Sequence, residues 1–223
     1  MLPLKKSEIL RYLGYRKKQE LTTEISTIID EIIIEAQKIA KPRYCYQIFG
    51  LKIDENDNTV EVLETKLVLT GKKIINHLYQ AKQVALLVAT LGVEVERKMQ
   101  CYDISNTTKS LIMDAVCTDY IEKVCDLAEI DLKNKLGNFW HLNSRFSPGY
   151  GDLPLSVQPK LLEITQALQK LGIHLSENLL MTPKKSVTGI IGIFDQKELA
   201  KPRWKMPKKM NMAMVQQCSL RVK

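Results

Sequence analysis

The sequence predicts an α+β fold in which helices flank a twisted, largely antiparallel sheet, and three features carry that expectation. Apolar residues Ile25, Ile28, Ile29, Ile32, Ile33 and Ala36 recur at helical spacing. Two strand-like stretches, 44–53 and 59–69, are separated by the polar cluster Asp54, Glu55, Asn56, Asp57 and Asn58 and read as a strand pair. Residues 107–136 read as the longest helix.

Taken in order, residues 7–13 and 22–40 are expected to be helices, the second stopped by Lys41 and Pro42. The strand pair follows, then a helix over 71–81. Residues 83–90 form a continuous apolar run closed by Leu91 and Gly92, which fits either a buried strand or the first turns of a helix. After the long helix, 156–171 reads as a helix ended by Gly172, and 186–194 as a strand. Residues 1–194 are therefore expected to form one domain. From Asp195 to Lys223 eight Lys or Arg face two acids, so this stretch carries +6 of the net +8 and residues 1–194 only +2. Residues 195–223 are expected to be a mobile basic tail or a segment that docks on a partner. Trp204 is its one aromatic residue, which gives little basis for stacking on nucleic-acid bases.

Forty-five per cent hydrophobic and 26 per cent charged residues exclude general disorder. The longest apolar run, 84–93, is about half the roughly 20 residues of a membrane span, so no span is expected. Lys5, Lys6 and Glu8 stand where a secretory apolar region would begin, which predicts a cytoplasmic protein. The five cysteines lack a CxxC pair and read as reduced thiols, and the three histidines are separated from one another, so no metal site is expected. The chain has no nucleophile elbow, P-loop, dinucleotide fingerprint or HExxH pattern, which argues against a self-contained hydrolase or kinase.

The candidate site begins at segment 145–154. Pro148 fixes its own φ and Gly149 permits a sharp turn, so Arg145 and Tyr150 sit at the two ends of a bend. Arginine offers a planar fork of donors for a carboxylate or phosphate, and tyrosine an apolar ring with one polar tip. The bend reads either as a small-molecule clamp or as an ordinary surface turn. In the long helix, Leu111, Ala115, Thr118, Cys125, Ala128 and Leu132 form an expected core-facing stripe, and Glu122 falls within it. A carboxylate there needs Arg145, another basic side chain or a ligand cation, unless it lies at the stripe's edge and reaches water. Asp114 is a weaker second candidate. Small residues Ser186, Thr188 and Gly189 open the last strand and suggest close packing along one wall of a pocket.

At these residues the chain resembles the activation domain of cobalamin-dependent methionine synthase, and more closely the free-standing proteins similar to that domain. The family's arginine, three residues, then Gly-Tyr is met by Arg145, Gly149 and Tyr150. Its Met-x-Pro followed by Ser-Val-Ser-Gly is met by Met181, Pro183, Ser186, Val187 and Gly189, with Thr188 in place of one serine. Arg11 to Tyr15 and Ala89 to Gly92 also look like the free-standing subgroup. The resemblance implies a site for S-adenosylmethionine, used to return an oxidised cobalamin to its methylated form by coupling reduction to methyl transfer. It implies that Arg145 pairs with the methionyl carboxylate, that the backbone around Ser147 and Gly149 contacts the ligand, and that Tyr150 stands near the corrin. Glu122 aligns with an acidic position that meets the ammonium or sulfonium, and Ser186 and Gly189 belong to the wall. The implied partners are a cobalamin-binding methionine synthase lacking its own activation domain and a flavodoxin- or ferredoxin-type electron donor. The chain departs from the linked domain in having no tyrosine in 190–194. Three further readings stay open: a sensor of S-adenosylmethionine or a small carboxylate, a reactivator of a different corrinoid methyltransferase, and nucleic-acid binding through the basic tail, which predicts a steep salt dependence.

Overall fold

The computed structural model describes residues 2–16 and 19–199, and the expected tail from residue 200 onward lies outside them. Helices α1 (Lys6–Tyr12) and α2 (Thr23–Ile39) precede strands β1 (Arg43–Asp54), β2 (Thr59–Val62) and β3 (Leu67–Thr70). Helix α3 (Lys72–Leu78), strand β4 (Gln83–Thr90), helices α4 (Val93–Ser105) and α5 (Thr107–Leu136) and strand β5 (Trp140–Leu142) follow. The chain continues through α6 (Gln158–Thr165), α7 (Ala167–Leu171), the short strands β6 (His174–Leu175) and β7 (Met181–Thr182), then β8 (Ser186–Asp195) and α8 (Gln196–Leu199). Six strands form one sheet in the order β3-β2-β1-β4-β8-β5, and every neighbouring pair is antiparallel. The α+β class and the antiparallel sheet are as the sequence predicts.

The run 83–90 is a strand because it is covered on both faces. Ala85, Leu87 and Ala89 join the core under α2, α4 and α5, while Val84, Leu86 and Val88 join a second core under α3, α6 and α7. A strand buried twice loses the polar half of its alternation and becomes a continuous apolar run. Strand β8 repeats the arrangement, with Ile191 and Ile193 on the first face and Ile190 and Phe194 on the second.

Four expectations need correction. The stretch 59–69 is two strands, because Thr65 Oγ1 donates to the Val62 carbonyl at 2.7 Å and accepts from Leu67 N at 3.0 Å, closing a turn at Glu64 with φ +64°. The helix over 156–171 is broken: a 3-10 turn at Leu155–Val157 leads into α6, and Gln166 at φ +57° separates α6 from α7. Helix α4 was not anticipated, since its buried residues are just Val95 and Met99 and its apolar stripe is narrow. The stripe of α5 is displaced, with Leu111 exposed at 62 % and Ile112, Val116, Tyr120 and Val124 buried instead. Ala115, Cys125, Ala128 and Leu132 are buried as expected, which leaves Glu122 at the edge of the buried face. Among the described residues no helix is long and apolar enough to cross a membrane.

Two side chains hold the segment after β5 in place. Asn143 accepts from Gly192 N and donates Nδ2 to the His77 carbonyl, both at 2.7 Å, tying the sheet edge to α3. Phe146 bridges to Ile190 of β8 and lays its ring against the His77 imidazole, with centroids 5.0 Å apart. His77 Nε2 is buried and finds no hydrogen-bond partner among the described residues. Burial pushes the His77 pKa below its ordinary value near 6.5, although the carbonyls of Ser144 and Ile190 favour the charged ring.

Asn143→Ala removes both bonds and is expected to lower the unfolding free energy by about 2 kcal/mol, read by urea denaturation. His77 yields a pH dependence. The unfolded chain takes up a proton as pH falls through its ordinary value, and the folded chain resists until lower pH. The wild type should therefore keep full stability above about pH 6.5 and lose it progressively below, and His77→Gln should flatten that slope. Parallel slopes for the two proteins would show that His77 carries none of it.

Candidate functional site

The site grows from helix α5. Asn106 caps its start by accepting from Lys109 N at 3.0 Å, and Gly137 ends it at φ +83°. Glu122, Asp126 and Glu129 then fall at steps of four and three, which stack them along one face. Like charges at such spacing repel, so this face needs a cation from another element.

Arg145 supplies it. Anchored by Asn143 on one side and the Phe146 bridge on the other, its side chain lies across the acidic face with 18 % of its surface exposed. Nη1 donates to Glu129 Oε1 at 2.6 Å and to Asp126 Oδ1 at 3.2 Å, and Nη2 donates to Glu122 Oε2 at 2.8 Å and to Asp126 Oδ1 at 3.3 Å. The aliphatic stem runs over Gly189 of β8, where an added Cβ would lie 3.5 Å from Arg145 Cγ. That is ordinary contact, so the glycine gives the stem a flat floor and an alanine would fit beneath it.

Burial opposes the charge of Arg145, but Cys125 and the carboxylates of Glu129 and Glu122 outweigh it and raise its pKa further, so the guanidinium is charged at any physiological pH. Burial raises Glu129 above the usual carboxylate range, and Arg145 offsets only part of the rise. The Cys125 thiol beneath them is pushed up to about 12, mainly by burial, and is not a nucleophile. Lys123 adds a looser contact to Asp126 at 3.6 Å.

Between this face and the turn lies a cleft of about 390 Å³, lined by Glu122, Asp126, Glu129, Ser144, Arg145, Phe146, Ser147, Tyr150 and Val187. Glu122, Arg145, Ser147 and Tyr150, each singled out from the sequence, thus share one cleft. Ser147 Oγ donates to the Thr188 carbonyl at 2.7 Å, which fixes the turn to β8. Gly149 adopts φ +86° and donates N–H to the Leu153 carbonyl at 3.0 Å, so it shapes the turn without lining the cleft. Tyr150 stands on the rim, 72 % exposed. Ser186 is the displaced member of the expected set. Its buried hydroxyl donates to the Pro183 carbonyl at 2.7 Å and pairs with the Thr90 hydroxyl, which can donate to it, at 2.9 Å, and Val187 faces the cleft instead. Gly189 acts from below, as the floor under Arg145. Asp114 belongs to a separate contact, in which Lys185 Nζ reaches its carboxylate at 2.9 Å and Thr118 Oγ1 at 2.8 Å.

Asp126 and Glu129 were missed, although the four-and-three spacing from Glu122 was a usable signal. Phe146 and Ser144 carried none, because their position depends on pairing with β8 and α3.

The surroundings of the cleft suit a small zwitterion or cation with an apolar body: a fixed guanidinium, three carboxylates, and two aromatic rings. No protein-family model and no curated protein matches the chain. Among solved structures, the MetH reactivation domain bound to AdoHcy is similar, with a TM-score of 0.63 and 13 % identity over 86 % of this chain and 74 % of that one. At that identity the likeness is one of fold, and the fold of this chain is that of the MetH reactivation domain.

Proposed function

We propose that this protein binds S-adenosylmethionine in the cleft between α5 and the 144–150 turn, and that it serves as a separate reactivation partner of a cobalamin-dependent methionine synthase. The observation that carries the reading is the convergence of Arg145, Glu122, Ser147 and Tyr150 on one cleft, in a fold whose solved counterpart was crystallised with the demethylated form of this ligand.

The residues divide the ligand among them. The carboxylate face of α5, Glu122 foremost, meets the sulfonium and ammonium charges, and Arg145 takes the methionyl carboxylate through its fork. Phe146 and Tyr150 supply apolar surface for the nucleoside. The volume of the cleft falls within the range of small-molecule sites, about 300–1,000 Å³. Cobalamin comes with the partner and supplies the methyl acceptor, while a flavodoxin- or ferredoxin-type protein supplies the electron. This chain contributes position: Tyr150, exposed on the rim, is the side chain offered to the partner's corrin. The isolated protein therefore has no turnover of its own.

Calorimetric titration with S-adenosylmethionine, with ATP as control, should give one-to-one binding that discriminates against ATP. Arg145→Ala is expected to weaken it by about 2 kcal/mol or more, with a thermal melt to confirm folding. Glu122→Gln should weaken binding by a smaller amount. Affinities unchanged in both variants would remove the cleft from the binding site. Binding without recovery of an oxidised corrinoid methionine synthase would favour a sensor, and recovery of another corrinoid methyltransferase would change the client.

A further inference from the structure

Arg145 arrives at the cleft with its fork already filled. Each terminal nitrogen donates to two carboxylates or shares Asp126, and the contact with Glu129 is the shortest at 2.6 Å. Those are the donors that a ligand carboxylate would use end-on, the bidentate mode that takes both terminal nitrogens together. A ligand carboxylate would also be a fourth anion beside three carboxylates and the two cations Arg145 and Lys123. Bound end-on through both terminal nitrogens, it must therefore displace one of the three.

The surroundings indicate which carboxylate leaves. Glu129 and Asp126 line not only the main cleft but a second one on its far side, about 400 Å³ in volume, where Lys133 and His141 also stand. Lys133 lies one helical turn beyond Glu129 on the same face, the spacing at which a glutamate and a lysine pair. Glu122 lines only the main cleft of the two and has no such alternative. Burial raises the pKa of Glu129 and Arg145 offsets only part of the rise, so its charge is held at a cost where it stands.

We propose that Glu129, assisted by Asp126, is an internal stand-in for a ligand carboxylate: it holds the Arg145 fork in the ligand-free protein and swings toward Lys133 when a ligand carboxylate takes its place. Glu129 is then a positioning residue, acting through Arg145. It keeps the guanidinium oriented and makes the cleft selective for ligands whose cationic groups compensate for the carboxylate they bring. This inference rests on reading the cleft as an S-adenosyl site.

The test compares two ligands that differ in one group, S-adenosylmethionine and its decarboxylated form S-adenosylmethioninamine, titrated into wild type and Glu129→Gln. Glutamine keeps the volume and loses the charge that competes for Arg145. The readout is the ratio of the two dissociation constants, compared with the ratio for Glu122→Gln, which removes the same charge from the same cluster at a residue that stays in place. An equal shift in the two variants would mark plain loss of repulsion and overturn the exchange. The expected result is a shift of that ratio by on the order of tenfold in favour of the carboxylate-bearing ligand. Asp126→Asn should shift it the same way by less. An unchanged ratio with both ligands still bound would overturn the exchange while leaving the S-adenosyl reading standing. Failure of both ligands to bind wild type and all the variants would overturn the S-adenosyl reading and the exchange with it.

Discussion

The guanidinium of Arg145 and the three carboxylates of α5 form the contact on which the functional half of this molecule depends. A helix that stacks Glu122, Asp126 and Glu129 on one face is electrostatically incomplete by itself. The missing charge comes from a segment that follows the helix in sequence and returns along the edge of the sheet. With Asn143 and Phe146 holding the segment in place, the pairing forms one wall of the cleft between it and the helix. Because Arg145 and Glu129 are mostly shielded from water, loss of either would leave the other without a compensating charge.

The scaffold makes that contact possible by covering its central strands on both sides. β4 and β8 contribute alternate residues to two separate cores, so the sheet is a rigid wall with α5 on one face and α3 on the other. The segment after β5 straddles the sheet edge and uses both faces: Arg145 reaches across Gly189 to α5, and Phe146 packs on His77 of α3. Successive side chains of an extended segment point in opposite directions, and here that alternation assigns one residue to charge and the next to packing. Gly189 fits the same logic, since a bulky side chain at that position of β8 would occupy the place of the Arg145 stem.

The cleft holds no activated nucleophile: Cys125 is buried with a raised pKa, and Ser147 spends its hydroxyl proton on a backbone carbonyl. What it offers is a shaped, charged surface, with Tyr150 projecting from the rim. Positioning of that kind suits a reaction in which reactive groups are carried by cofactors and the protein supplies orientation and electrostatics.

The sequence by itself determined the class of the fold, most of its elements and the type of its central residues. The periodicity of α2, the apolar run of β4 and the length of α5 are local properties, and local properties are legible one residue after another. The bend at Pro148 and Gly149 was legible for the same reason, as were Arg145 and Glu122 as residues requiring a partner. Tertiary structure alone decided the rest. The break at Gln166 and the turn at Glu64 depend on backbone conformations that residue type does not demand, and α4 has too narrow a buried stripe to announce itself. Ser186 looked like a site residue from its motif and proved to be a strut, because its hydroxyl faces Thr90 of the adjacent strand. Asp126 and Glu129 acquire their role only when the chain brings Arg145 back onto them. The reason is physical: a charge's role is set by what lies within a few ångströms, and here the partner lies 16 to 23 residues away in sequence.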